Sequence, residues 1–387
     1  MKVSFKKIVS TVHLWLGLAS GLIVFIVGIT GCILAFEQEI KSVTQPYQFV
    51  RSEEKPFLKP SVLIQIAAKK AFADSAGKPN CVINSIQYNG KNKAAIAVYN
   101  NKEKGSFLMY LNPYHGWVLK EKELNKDFFR IVLGIHFYLL LPAKIGQPIV
   151  ATAILLFVLL LITGCILWLP KHFKWNLLKQ RLTINWRANF KRTNYDVHNV
   201  LGFYSVSIAL ILALTGLVWG FEWFEKGLYF TTSGGKVLPS HKKPLSDTTV
   251  LEKSDTLLVD VLWNKSQQLY SLQNSRFQIT IPIKSSDCFT TSYNPSFTTF
   301  YQREIKYYDK TTLQELYNHS IYNQTYANAT KADKLYRMNY DIHVGAIAGL
   351  AGKIIVFFAS LIAASLPVTG FLIWRGRKRK KISKPVL

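Results

Sequence analysis

Four stretches of this chain contain no aspartate, glutamate, lysine or arginine: Val12–Phe36, Gln147–Leu169, Val200–Phe221 and Ile354–Trp374. Each is 21 residues or longer. As helices rising about 1.5 Å per residue, they are long enough to cross the roughly 30 Å of hydrocarbon in a bilayer. Core helices of soluble domains rarely run so far without a charge, so we read four transmembrane helices packed as an all-α bundle. Lys2, Lys6 and Lys7 precede the first stretch, as they would in a secretory leader. The apolar run is too long for one, and Ile33-Leu34-Ala35 makes a poor cleavage site, so this helix is expected to be retained.

The charge balance then acquires a simple meaning. The 387 residues carry a formal charge of +26 while 49% of them are hydrophobic. In a soluble protein that excess would point to nucleic acid. Here the cations cluster beside the apolar stretches: Lys2, Lys6 and Lys7 at the start, Lys171 to Arg192 between the second and third stretches, and Arg375 to Lys384 in the tail. In a four-span chain all three clusters fall on one side, which the positive-inside rule makes cytoplasmic, together with both termini. Nucleic acid is not needed to explain the charge; the bilayer is the partner it implies.

The expected organisation follows. A first transmembrane helix lies within 1–37, an external α+β domain at 38–130, and an interfacial segment with the second helix at 131–170. A basic cytoplasmic loop at 171–195 leads to the third helix at 196–224 and a second external domain at 225–338. An interfacial segment with the fourth helix at 339–375 and a basic tail at 376–387 complete the chain. In the first external domain the pattern predicts a helix over Pro60–Ala73 and strands over Cys81–Tyr88, Ala94–Tyr99 and Phe107–Leu111. The Asn112–Trp117 turn then leads to a further short strand. In the second it predicts a helix over Leu257–Leu269, strands over Arg276–Ile283 and Phe297–Tyr308, and a loop over Tyr317–Ala329. Cys81 and Cys288, one per external domain, are read as free thiols, with a bridge between them as the alternative in an oxidising compartment.

The chain also repeats itself. Each apolar stretch ends in a Thr-Gly pair followed by apolar or aromatic residues, with glycines Gly31, Gly164, Gly216 and Gly370. His13 precedes Thr30 by 17 positions and His198 precedes Thr215 by 17; His136 precedes Thr163 by 27 and His343 precedes Thr369 by 26. Two copies of one unit, helix, external domain, His-bearing segment and helix, account for this spacing. A pseudo-two-fold axis along the membrane normal would face His13 with His198 near the cytoplasm, and His136 with His343 near the outside.

Two imidazoles facing each other from neighbouring helices suit the two axial positions of a b-type haem. We therefore expect two b-type haems, the inner one on His13 and His198 and the outer one on His136 and His343. Gly17, Gly31, Gly164, Gly216 and Gly370 would leave room for the porphyrins; their plainer role is close helix packing. A histidine at a membrane edge is more often an interfacial residue than a ligand, so the weight rests on the joint pattern. His172 is either a competing inner ligand or an interfacial side chain. His115, His241 and His319 fall in polar loops. Asp196 and Asp341, each two residues before its histidine, suit helix N-caps. Trp15, Trp168, Trp219 and Trp374 lie near span ends, as an aromatic belt requires. No phosphate-binding glycine loop, dinucleotide fingerprint or zinc-type spacing is present.

The runs HLWLGLASG, LNPYHGWVL, DVHNVLGFY, DIHVGAIAGLAGKII and PVTGFLIWRGRKRK resemble those of the PepSY-associated transmembrane helix family. That family includes bacterial iron-regulated membrane proteins and ferric-siderophore reductases. The resemblance implies a multi-pass inner-membrane protein with two haems and periplasmic PepSY-like domains. It implies a haem-dependent oxidoreductase that passes electrons to a ferric siderophore or other periplasmic Fe(III) complex, so that iron is released. Carried over residue by residue, the haem ligands are His13, His136, His198 and His343. The electron donor would be a cytoplasmic reductant or a quinol. The second external domain departs from a clean PepSY pattern, and the acceptor residues stay open. An alternative is a membrane-anchored PepSY binding or peptidase-inhibitory module without redox activity. A proton-coupled permease is disfavoured by the lack of intramembrane carboxylates.

Overall fold

A computed structural model describes residues 4–73, 81–170, 174–240, 242–247 and 255–382. Along the chain, helix α1 (Phe5–Ala35) is followed by α2 (Glu37–Thr44) and α3 (Pro60–Ala73). Strands β1 (Cys81–Tyr88), β2 (Ala95–Asn101), β3 (Gly105–Leu111) and β4 (Val118–Glu123) come next. Then come α4 (Phe128–Tyr138), α5 (Ala143–Trp168), α6 (Trp175–Leu182), α7 (Phe190–Gly220), α8 (Glu222–Thr232) and α9 (Asp255–Leu269). Strands β5 (Arg276–Thr280), β6 (Phe289–Asn294), β7 (Glu304–Tyr308) and β8 (Glu315–Leu316) precede α10 (Lys331–His343) and α11 (Gly349–Ile382). These elements form two compact units, one of long helices and one built on a sheet.

In the helical unit, 4 helices among the described residues are long and apolar enough to cross a membrane: α1, α5, α7 and the Ala346–Arg377 run that contains most of α11. Helix α1 packs on α5 and α11, and α7 packs on the same two, so α1 stands diagonal to α7. Small side chains fill the centre, where Ala209, Ala213 and Ala363 meet Val24, Phe157 and Leu161. Outward positions are large and apolar. Leu22, Trp15 and Phe358 are more than half exposed, which suits a surface solvated by lipid rather than water.

Helix α7 begins earlier than its uncharged run suggests. Asn189 caps it, its Oδ1 accepting from the Arg192 N–H at 3.1 Å. Asp196 therefore lies inside the helix and is not an N-cap. Its carboxylate instead accepts from Arg192 Nε at 2.9 Å, one turn back. Asp341 is likewise inside α10 and fully buried, so the cap reading fails there too.

The second unit corrects the expectation of two small separate modules. All the strands join one antiparallel sheet in the order β4-β3-β2-β1-β5-β6-β7-β8. The join is β1 against β5, with Ile86 opposite Ile279 and Tyr88 opposite Phe277. Each four-stranded meander would otherwise leave one bare, half-apolar edge, and pairing the two edges removes both. Alternate residues of β2 and β5 point inward, and Ala95, Ala97, Phe277 and Ile279 are completely buried beneath Leu63 of α3 and Leu262 and Trp263 of α9. One core thus serves both halves. Replacing Phe277 by Ala is expected to cost about 3–5 kcal/mol and to loosen both halves together, read as simultaneous loss of amide protection in β1 and β5.

Two local expectations also shift. The strand predicted over Phe297–Tyr308 begins only at Glu304, and β6 was not predicted at all. FTTSYN owes its strand to the pairing partners β5 and β7 and carries little hydrophobic alternation of its own. Residues Tyr317–Ala329 form the expected loop of turns. The four cysteines are free thiols, with Cys81 buried beside the Ala71 carbonyl and Asn101.

Candidate functional site

The spacing that singled out four histidines is answered by one contact made four times. His13 Nδ1 lies 2.8 Å from Thr163 Oγ1, and His136 Nδ1 lies 2.9 Å from Thr30 Oγ1. Across the bundle, His198 Nδ1 lies 2.8 Å from Thr369 Oγ1, and His343 Nδ1 lies 2.9 Å from Thr215 Oγ1. Helices α1 and α5, with α4, are thus tied by two reciprocal His–Thr bonds. Helices α7 and α11, with α10, are tied by two more.

Each threonine hydroxyl also sits against the carbonyl four residues back in its own helix. The distances are 2.8 Å from Thr30 to Ile26, 2.7 Å from Thr163 to Leu159, 2.7 Å from Thr215 to Ile211 and 3.0 Å from Thr369 to Ser365. A hydroxyl has one proton to give. Given to histidine, it would leave two oxygens facing each other at these distances with nothing between them. The hydroxyl therefore donates to its helix carbonyl and accepts from imidazole Nδ1–H. That assignment leaves Nε2 of all four rings unprotonated, with its lone pair available.

The rings meet in two pairs. His13 and His198 have ring centres 6.5 Å apart and nearly perpendicular planes at 89°. His136 and His343 have centres 6.3 Å apart and planes at 69°. The glycine after each threonine backs the ring that the threonine holds. A Cβ at Gly164 would stand 3.5 Å from His13 Cε1, at Gly31 3.5 Å from His136, at Gly216 3.4 Å from His343 and at Gly370 3.3 Å from His198. Gly17 faces Leu160 instead, and no histidine.

His13 and His198 are carried well inside long continuous helices, eight residues past the starts of α1 and α7. His136 and His343 reach the bundle differently, near the ends of the shorter helices α4 and α10. After His136 the backbone turns through Leu139 and Leu140, both at positive φ, and after His343 through Gly345 and Gly349, also positive. The following helix then returns directly beneath. Gly146 packs against the Tyr138 carbonyl and Gly352 against the Gly345 carbonyl; an added Cβ would come within 2.0 and 2.2 Å of those oxygens.

Two features missed in the sequence complete the site. The threonines were noticed as markers of span ends but not as partners of the histidines, although the fixed His-to-Thr intervals carried the signal. Asn194 was passed over as well: its side chain donates to the Thr369 carbonyl at 3.1 Å, one turn from His198 on the same face of α7. Trp219 meets His343 edge-on at 5.3 Å. Elsewhere His115 stacks on Trp117 at 4.2 Å and contacts Glu53, while His319 packs on Tyr317. His172 and His241 lie outside the described residues.

The sequence profile of the PepSY-associated TM region matches residues 10–377. The chain belongs to the PepSY-associated TM family. It is a multi-pass membrane protein with a separate α+β part. Among curated proteins, none matches it. In this PepSY-associated chain, two imidazoles with unprotonated Nε2 atoms come together with ring centres 6.5 or 6.3 Å apart, and the arrangement is built twice.

Proposed function

We propose that the chain is a two-haem transmembrane electron conduit of the bacterial inner membrane, reducing periplasmic Fe(III) complexes such as ferric siderophores with electrons from a cytoplasmic reductant or a quinol. One observation carries the reading: four imidazoles, all fixed by threonine as Nδ1–H tautomers, paired at the separation one metal requires. Two imidazoles that held one ion from opposite sides through Nε2, with metal–nitrogen bonds of about 2.0 Å, would have ring centres roughly 6.3 Å apart. The pairs lie at 6.5 and 6.3 Å. Trp168 Nε1, a buried donor with no partner among the described residues, lies one turn past Gly164 and would suit a cofactor that carries carboxylates.

When bound, haem supplies a one-electron Fe(III)/Fe(II) couple. The chain's residues do the rest. His13 with His198, and His136 with His343, would hold it through their Nε2 atoms; Thr163, Thr369, Thr30 and Thr215 hold those imidazoles as Nδ1–H tautomers and make them more basic. Gly31, Gly164, Gly216 and Gly370 lie behind the four rings, with their Cβ positions 3.3 to 3.5 Å from the Cε1 atoms. The apolar bundle excludes water between the two layers. The basic segments flanking the spans support cytoplasmic termini, and hence an outer pair on the periplasmic side. The matched His–Thr ties support two copies of one unit, as does the sheet, with a helix and a four-stranded meander in each half.

A reduced-minus-oxidised spectrum with haem quantification tests the proposal directly. Two reducible b-type haems per chain are expected, and protein expressed with ample haem yet lacking them would refute it. A finer test replaces Thr215 with Val, removing the acceptor from His343 Nδ1–H. Loss of that bond makes the imidazole less basic, so the midpoint potential of the outer haem should rise. A hydrogen bond of about 1 kcal/mol corresponds to roughly 40 mV for one electron. Thr215→Ser should restore the original value, and the inner haem should not move.

A further inference from the structure

The sheet unit holds three cations, Arg276, Arg303 and Lys93, that no carboxylate balances among the described residues. Arg276 opens β5, and Arg303 stands immediately before β7. Arg276 pairs with Asn294, and Tyr293 with Glu304, so one further step of the ladder places Asn294 beside Arg303. Arg276, Asn294 and Arg303 thus form one row across three strands. At about 4.8 Å per strand the two arginine backbones are roughly 10 Å apart. Both point to the face opposite the core residues Phe277 and Ile279.

Aromatic faces hold these guanidinium groups where acids would be expected. Arg276 lies 4.8 Å from the Phe300 ring and Arg303 4.7 Å from the Tyr322 ring. The Arg276 side chain donates once, to the Phe297 carbonyl at 3.0 Å. That of Arg303 makes no hydrogen bond among the described residues, and Nε of both arginines is buried without a partner. Lys93 lies 5.1 Å from the Phe297 ring, also with no carboxylate partner among the described residues. Burial lowers the pKa of Arg276, Tyr340 opposes that shift and the charge of Arg303 adds to it; burial and Arg276 lower that of Lys93.

Arg337 shows what a purely structural arginine looks like in the same neighbourhood. It is almost fully buried and donates to the carbonyls of Tyr301, Gln324, Arg303 and Ile321, so its charge is spread over backbone oxygens. Arg303 and Arg276 lack that accounting. Half-buried like charges near one another raise the free energy of the folded state, and an anion placed among them lowers it. Guanidinium groups favour carboxylates, which match their fork of N–H donors.

We propose that Arg276, Arg303 and Lys93 form the docking site for an anionic Fe(III) chelate whose ligands include carboxylates. The proposal rests on the electron-transfer reading above, for which it names the acceptor. The Tyr340 ring meets that of Phe300, on which Arg276 rests, edge-on at 5.3 Å. One electron from the cytoplasmic donor converts the docked Fe(III) to Fe(II). No bond to the protein forms or breaks, and the weaker grip of the carboxylates on Fe(II) lets the metal leave.

The test uses full-length protein in detergent and gallium(III) citrate, a redox-inert stand-in for the ferric chelate, with binding followed by equilibrium dialysis. Saturable binding is expected, weakened about tenfold by Arg303→Gln and further by Arg276→Gln with Arg303→Gln. Lys102→Gln, which removes an exposed charge elsewhere on the sheet, should leave binding unchanged. Arg303→Gln breaks no side-chain hydrogen bond of the fold, so loss of binding there is not loss of structure. Absence of binding, equal binding by the arginine variants, or displacement by equimolar inorganic phosphate would overturn the assignment. Gallium binding needs no haem. If it depends on the arginines while no reducible haem is found, the site stands and the conduit falls; the converse result removes the site alone.

Discussion

Alanine in place of His136 or His343 is expected to lower bound haem from two per chain to one and to abolish reduction of external ferric complexes. The inner haem should still accept electrons from the cytoplasmic side. Replacing His13 or His198 should also halve the haem, but with the surviving couple on the outer side, cut off from its donor. The variants should fold, because the threonine that each histidine leaves behind still donates to its own helix carbonyl, as Thr30 does to Ile26 at 2.8 Å. Only an acceptor position is vacated, and no buried donor is orphaned. The measurement is haem per protein together with the reduced spectrum. Two haems retained in His136→Ala would remove that residue from the ligand set. If external reduction persisted in His343→Ala, the two layers would not act in series. A membrane-anchored binding module would keep its partner through all four substitutions, which separates the two functional classes.

The sequence carried the histidine pairing because spacing survives folding. The 17-residue interval from His13 to Thr30 recurs from His198 to Thr215, so the two chain halves align in sequence alone. The four spans were legible for a similar reason: absence of charge over 21 residues or more is a property of the chain itself. What could not be read depends on one segment meeting another far away. Thr163 becomes the partner of His13 only because α1 crosses α5 at the right height, 150 residues apart in sequence. The union of the two long connecting segments rests on β1 pairing with β5, where Ser85 meets Thr280, and no local pattern announces which edge will find which. Asp196 misled for a different reason. A carboxylate near an expected helix start looks like a cap, but Asn189 moved the start of α7 upstream and left Asp196 to pair with Arg192.

The returns beneath the outer histidines allow a sharper test than substitution of the histidines themselves. Gly146→Ala and Gly352→Ala are each expected to empty the outer haem site while leaving the inner one filled. The added methyl would lie 2.0 Å from the Tyr138 carbonyl oxygen in one case and 2.2 Å from that of Gly345 in the other. Both obstacles are backbone, so no rotamer change relieves them and the turn must move. Tyr138 follows His136 by two residues and Gly345 follows His343 by two, so moving the turn draws the imidazole off Thr30 or Thr215. Overpacking of this kind costs about 1–3 kcal/mol, which corresponds to roughly 5- to 150-fold weaker retention of the outer haem. Gly31→Ala provides the contrast. Its methyl would meet His136 Cε1 at 3.5 Å, an ordinary contact, and the outer haem should stay with at most a small spectral shift. If Gly31→Ala empties the site and Gly146→Ala does not, the ring is positioned by the helix behind it and not by the turn. Haem content of the two variants, measured side by side, decides which of these glycines sets the outer ligand.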